Sequence, residues 1–196
     1  MTGSHGEDRR VRRTKDRLRG ALASLIHEKT YDAIAVKEIL SRADVGRSAF
    51  YTHFRDKEEL LVSALREALH AAAGASTQRL HPADAVLAFS LPFLEQVEHV
   101  RRLDRHMSSP ERFAPVHDCL RRVLAEHVES TLPRSHASGE AGVTRMPTEL
   151  VAAHVADTFL RVLTWWLQSD TPWSAREVDT FFRDLTRPVL AARYTA

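Results

Sequence analysis

One cysteine, Cys119, stands in the whole chain, so no intramolecular disulfide framework exists, and a lone thiol suits a reducing compartment. Glycine and proline are few, at seven and eight residues, and Val, Ile and Thr rarely alternate with polar residues. That leaves little material for hairpins or sandwiches. No apolar run approaches the ~18 uninterrupted residues of a membrane span. The charged N-terminus carries no apolar stretch of the signal-peptide kind. Lysine is scarce beside arginine. What remains is rich in Ala, Leu, Arg and Glu, and favours helix almost everywhere. These features predict an all-α protein in a cytoplasmic setting, long enough for one or two domains.

Motifs for catalysis are missing too. Di-iron bundles need Glu-x-x-His on two helices, and Glu95-x-x-Glu98-His99 and Glu126-His127 do not meet that spacing. There is no HExxH, no Cys/His zinc pattern, no Gly-rich phosphate loop and no serine elbow. The expectation is a protein that is not an enzyme and uses no metal or cofactor.

The net charge is only +2 and it is unevenly spread. Arg9, Arg10, Arg12, Arg13, Lys15, Arg17 and Arg19 stand against the single acid Asp16 in residues 9–19. A local basic patch on a near-neutral body suits contact with a polyanion at one end.

Along the chain, residues 1–9 read as a flexible tail, and apolar spacing predicts a first helix from about Arg10 to Lys29. A short connector, Thr30–Ile34, follows. Next come a helix over about Val36–Ala43, a turn at Asp44-Val45-Gly46 and a helix over about Arg47–His53. Asp56 is a suitable N-cap for a fourth helix ending near Gly74, with Glu59 at the capping-box spacing. Further helices are expected at about Ala83–Arg105, kinked or split by Pro92, and at about Glu111–Thr131 and Thr148–Gln168. After a loop-like stretch at 133–147 and a break at Pro172, Ser174 can cap a last helix. The domain boundaries read as a tail (1–9), a helix-turn-helix domain (10–55) and a larger bundle (56–196).

A helix, a three-residue turn and a short second helix have a physical use. The first braces the second across the DNA backbone, and the second enters the major groove. Phe50 and Phe54 supply the inner apolar face. Arg47, Ser48, Tyr51, Thr52 and His53 can reach phosphates and base edges. A basic N-terminal arm would add a salt-dependent contribution.

At this point the chain resembles the TetR family of bacterial transcriptional regulators. The resemblance covers about Thr14–Leu65: V-K-E-I-L-S-R-A, then D-V-G, R-S-A-F-Y-T-H-F and D-K-E-E-L-L. It implies DNA contacts from Lys37, Arg47, Ser48, Ala49, Tyr51, Thr52 and His53. It also implies a phosphate held by Lys57 at the start of the fourth helix. Ala35 and Gly46 depart from the family pattern, since relatives commonly carry a capping Thr and a Ser there. The turn survives at Asp44, because Asp tolerates the left-handed conformation.

The helix over Thr148–Gln168 has more apolar surface than one core face can use. With the last helix it predicts a two-fold four-helix seam between two copies of the chain, and the resemblance implies the same homodimer. Val151, Val155, Phe159, Val162, Val178, Phe181, Phe182 and Leu185 are the expected seam residues. The rest of the bundle is expected to enclose a small amphipathic effector, lined by Phe89, Phe93, Arg102, His106, Met107, Phe113, His117, Trp165 and Trp166. One of Trp165 and Trp166 should face inward and the other outward. The function expected is a homodimeric repressor of a palindromic double-stranded operator, released by a small molecule. The alternatives are a redox or metal sensor built on Cys119 with His117 and Asp118, or a DNA binder without sequence preference.

Overall fold

In the computed structural model the described residues are 4–74, 82–103, 110–132, 146–169 and 171–194. Among them there is no strand. The helices are α1 (Ser4–Glu28), α2 (Val36–Ala43), α3 (Arg47–His53), α4 (Lys57–Gly74), α5 (Pro82–Val86), α6 (Ser90–Leu103), α7 (Pro110–Thr131), α8 (Thr148–Gln168) and α9 (Ala175–Tyr194). A single 3-10 turn, Tyr31–Ala33, joins α1 to α2. The chain divides into two compact units: Met1–Leu65 with Glu111–Cys119, and Arg66–Pro110 with Leu120–Ala196. The division falls inside α4 rather than at its start. Its first turns belong with α1, because Leu60 and Leu61 are buried and Ser63 Oγ accepts from Arg19 Nε (3.0 Å) and Nη2 (2.9 Å).

In the first unit, Leu18, Leu22, Leu25, Ile34, Ile39, Phe50, Phe54 and Leu60 close a small core. α1 begins at Ser4, not at Arg10, so the expected tail is helical from residue 4 onward.

In the second unit, Pro92 splits the expected Ala83–Arg105 helix. The break falls at residues 87–89, and Pro92 sits in the first turn of α6, where no amide donor is required. A polar cluster fastens this corner to α9. Arg183 Nε donates to Asp179 Oδ2 (2.6 Å) and its Nη2 donates to the Leu87 carbonyl (2.9 Å). Ser90 Oγ bonds Asp179, and Arg187 pairs with Asp84 (3.0 Å). Ser90 and Asp179 are buried, and their hydrogen bonds offset the desolvation. The start of α9 is a full capping box. Ser174 Oγ accepts from Glu177 N–H (3.3 Å), and Glu177 Oε2 accepts from Ser174 N–H (2.8 Å). α8 is long and apolar enough, by composition, to cross a membrane. Here its apolar rows serve as the core of the bundle.

Candidate nucleic-acid interface

The recognition segment is built from the turn outward. Asp44 adopts the left-handed conformation (φ 51°, ψ 53°), and Val45 N–H reaches back to the Leu40 carbonyl (3.1 Å). Arg17 Nη2 holds the Asp44 carboxylate at 2.8 Å, which ties the turn to α1. α1 and α2 are stapled by Arg42, whose two guanidinium nitrogens meet Glu28 at 2.6 and 2.9 Å while Nη1 also meets Ser24 Oγ at 2.7 Å. Ala35 offers α2 no side-chain cap. Glu38 supplies half of one by accepting from Ala35 N–H (2.9 Å). Hydrogen bonds from Lys29 and then Ala35 hold the Glu38 carboxyl below its ordinary pKa.

α3 hangs on Phe50, which is fully buried, with Phe54 closing behind it. Its outer face carries Arg47, Ser48, Tyr51 and Thr52, all exposed. Tyr51 is 49 % exposed, stands edge-on to Phe50 (5.2 Å) and lies under the Arg47 guanidinium (5.7 Å). The pair therefore presents a charge and a phenol side by side. Thr52 Oγ1 donates to the Ser48 carbonyl (2.9 Å), leaving its lone pairs to accept. Ala49 and His53 are half-exposed, and Lys37 is exposed on α2. A Cβ at Gly46 would meet nothing within 4 Å.

Lys57 differs from its expected placement. Its Nζ donates to the carbonyls of Tyr31 (2.7 Å) and Ile34 (2.8 Å) and sits 4.2 Å from the centre of the Tyr31 ring. Burial holds its pKa below the usual lysine value, with Asp32 pulling the other way. Two of its three donors are spent inside the unit, so Lys57 clamps the 31–34 connector rather than standing free for a phosphate. Asp56 caps α4 as expected, accepting from Glu59 N–H (2.8 Å). Glu59 reaches back to Arg55 N–H (2.7 Å).

The basic run also sorts itself. Arg17 and Arg19 are tied to Asp44, Asp16 and Ser63. Arg9, Arg10, Arg12 and Arg13 stand ahead of the first buried residue of the core, Leu18.

The described members of the expected effector lining are spread over core, surface and the first unit. Phe89 is fully buried against Phe159 (5.2 Å) and Phe182 (6.2 Å), and Phe93 lies on Phe159 (5.6 Å). Trp166 is core, its Nε1 donating to the Trp173 carbonyl (2.9 Å), whereas Trp165 is 43 % exposed. Arg102 points outward to Glu98 (3.1 Å). His117 is half-exposed and falls in the unit of the helix-turn-helix. His106, Met107 and the Phe113 side chain lie outside the described residues. Cys119 is buried, and among the described residues no three His, Cys, Asp or Glu are arranged for a metal.

The expected seam needs a correction as well. Val151, Val155, Phe159, Val162, Val178 and Phe182 are at most 7 % exposed, filling the chain's own core. Side chains already covered have no area left to bury against a second chain. The free apolar face carries instead Trp165 of α8, Trp173 of the connector before α9, and Phe181 and Leu185 of α9, the last 57 % exposed. Phe181 packs edge-on to Trp165 (6.2 Å) and Trp173 (5.4 Å). An open cleft of about 370 Å³, lined by Arg66, Leu69, His70, Val123, Glu126, His127 and Ser130, also went unforeseen. Its residues recur at i, i+3 and i+4 on α4 (Arg66, Leu69 and His70) and at i, i+3, i+4 and i+7 on α7 (Val123, Glu126, His127 and Ser130).

Comparison with known proteins bears on the N-terminal segment and on the fold. Residues 18–64 match the family described as bacterial regulatory proteins, tetR family. The uncharacterized HTH-type transcriptional regulator YxbF of Bacillus subtilis is 31 % identical over 111 residues, which is 53 % of this chain and 29 % of that protein. The match thus spans under a third of the relative's length. A TetR regulator structure from Streptococcus agalactiae is similar over 94 % of this chain and 99 % of that one (TM-score 0.52, 19 % identity). A Rhodococcus transcriptional regulator is similar over 91 % and 96 % (TM-score 0.54, 18 % identity). At such identities the structural likenesses speak to the fold alone.

Proposed function

We propose that this chain, whose residues 18–64 match the tetR family of bacterial regulatory proteins, is a DNA-binding regulator that works in the cytoplasm as a homodimeric repressor of a palindromic operator. A small molecule taken up by the second unit would release it. The observation that carries the reading is the outer face of α3, where Arg47, Ser48, Tyr51 and Thr52 are exposed on a helix anchored by Phe50. Lys37 on α2 supplies a flanking phosphate contact, and Ala49 and His53 border the base-reading face. Arg9, Arg10, Arg12 and Arg13 add a salt-dependent contribution.

A palindrome is read by two recognition helices about 34 Å apart, which requires two chains. The patch of Trp165, Trp173, Phe181 and Leu185 supports that pairing, because a contiguous exposed apolar face marks an interaction site. Leu185→Glu would place a charge in it, and the expected result is a monomer in sedimentation at micromolar concentration. An unchanged dimer removes this face from the seam.

Mobility shift against operator DNA tests the interface. Arg47→Ala and Tyr51→Phe should each weaken binding, Arg47→Ala by about 10-fold or more if it reads a base edge. If both variants, still folded, bind like the parent chain, α3 is not the reading helix.

A further inference from the structure

The cleft between the second halves of α4 and α7 has a chemistry of its own. Leu69 and Val123, both buried, form its floor. Arg66 and Glu126 stand at its rim and neutralise each other through a 2.7 Å pair. Ser130 spends its hydroxyl proton on the His127 carbonyl (2.7 Å). That leaves two imidazoles. His70, from α4, is exposed. His127, from α7, is half-buried and stands edge-on to Phe89 at 5.7 Å. Among the described residues no side-chain nitrogen is both buried and without a hydrogen-bond partner, and His127 is one of the residues that line the cleft.

We propose that this cleft takes a small organic carboxylate, held by His70 and His127 together in their protonated forms, and that it is the effector site of the regulator. This rests on the reading that the second unit takes up an effector. A carboxylate has two oxygens for two N–H donors, and the apolar floor accepts a ring or a short chain. The volume suits a ligand of single-ring size. The charged and titratable groups facing His127 are His70 and Arg66 from α4 and Glu126 from its own helix, while Phe89 faces it from the α5–α6 corner. Without an anion, burial first and His70 second hold His127 below its ordinary pKa. An anion seated on both rings removes the repulsion between them and draws in a proton. Binding is therefore coupled to proton uptake.

Benzoate serves as the probe and benzamide as its neutral counterpart, with the full chain, by calorimetry and by NMR of the imidazole protons. Benzoate should bind about 10-fold more tightly at about pH 6 than at about pH 8, with proton uptake and shifts at both histidines. Benzamide should not bind. His127→Gln, checked for folding by circular dichroism, and His70→Gln should each weaken benzoate and flatten its pH dependence. No benzoate binding, equal binding of the two probes, or unchanged binding by His127→Gln overturns the proposal. Operator binding is measured in parallel without probe. A chain that shifts the operator but ignores benzoate discards this inference alone. A chain that takes benzoate as described but shifts no DNA discards the regulator reading instead.

Discussion

Replacing Lys57 with Met separates two roles that a lysine at the head of a helix can play. In this structure its ammonium donates to two carbonyls and covers the Tyr31 ring. A hydrogen bond to a charged group contributes about 1.5–3 kcal/mol, and a cation over an aromatic face adds about 1 kcal/mol. Two offsets apply. The Tyr31 carbonyl keeps a second donor, Ile34 N–H at 3.1 Å, and the ammonium no longer has to be desolvated. Methionine also retains contact with the ring. The net loss should be about 2 kcal/mol, which is roughly a 30-fold rise in amide exchange rates across the first unit. Hydrogen exchange at Leu22, Ile39 and Phe50 measures it. Operator affinity, compared where both proteins are folded, should keep its salt dependence. A phosphate-bound lysine would instead lower the slope of log affinity against log salt by about 0.9 when removed. Unchanged exchange together with that loss of slope would refute the clamp and restore Lys57 to the DNA.

Two further outcomes are expected. Ala35→Thr with Gly46→Ser supplies the missing N-cap hydroxyls, for which both sites have extended backbone and Gly46 has open space. Stability should rise, by about 1 kcal/mol at Ala35 and by a few tenths at Gly46, and operator binding should tighten several-fold. A more stable protein with unchanged affinity would show that those hydroxyls do not face phosphate. His127 titrates below 6.5 in the folded chain, so between its folded and unfolded pKa values the unfolded state holds more protons. The second unit should thus lose stability as pH falls through about 6.5 and level off below the folded value. Denaturation followed by tryptophan fluorescence reports it, since Trp165, Trp166 and Trp173 all lie in that unit. If His127→Gln shows the same pH profile, the titrating group is another residue.

Much of the local structure was legible in the sequence, because near-neighbour rules decide it. Apolar spacing placed α2 and α3 at their observed bounds, Asp44 took the left-handed turn, and Asp56 and Ser174 capped the helices they precede. The start of α1 was missed because Gly6 and the charged run resemble a tail, although nothing in Ser4–Arg10 forbids a helix. Roles that depend on which neighbour arrives were not legible. Lys57 carries a phosphate-binding pattern, yet carbonyls more than twenty residues upstream claim its donors. α8 shows two apolar rows, and periodicity cannot say which of them the chain covers itself. Phe89 and Phe159, expected in different places, stack on one another. The cleft escaped notice because His70 and His127 meet only once α4 and α7 have packed.

The cluster of Asp179, Arg183, Ser90 and the Leu87 carbonyl also sets an order of events during synthesis. Both members contributed by α9 lie in the final helix, about ninety residues after the corner they secure. The helix-turn-helix segment is complete when little more than a third of the chain has left the ribosome. The second unit has to wait with Phe89 unfastened until the last helix emerges. A product that stopped short of Ala175 would keep the helix-turn-helix segment and lack the strap on its second unit. It would also lack Phe181 and Leu185, half of the face through which two copies are proposed to pair, and with them the two-chain hold on a palindrome.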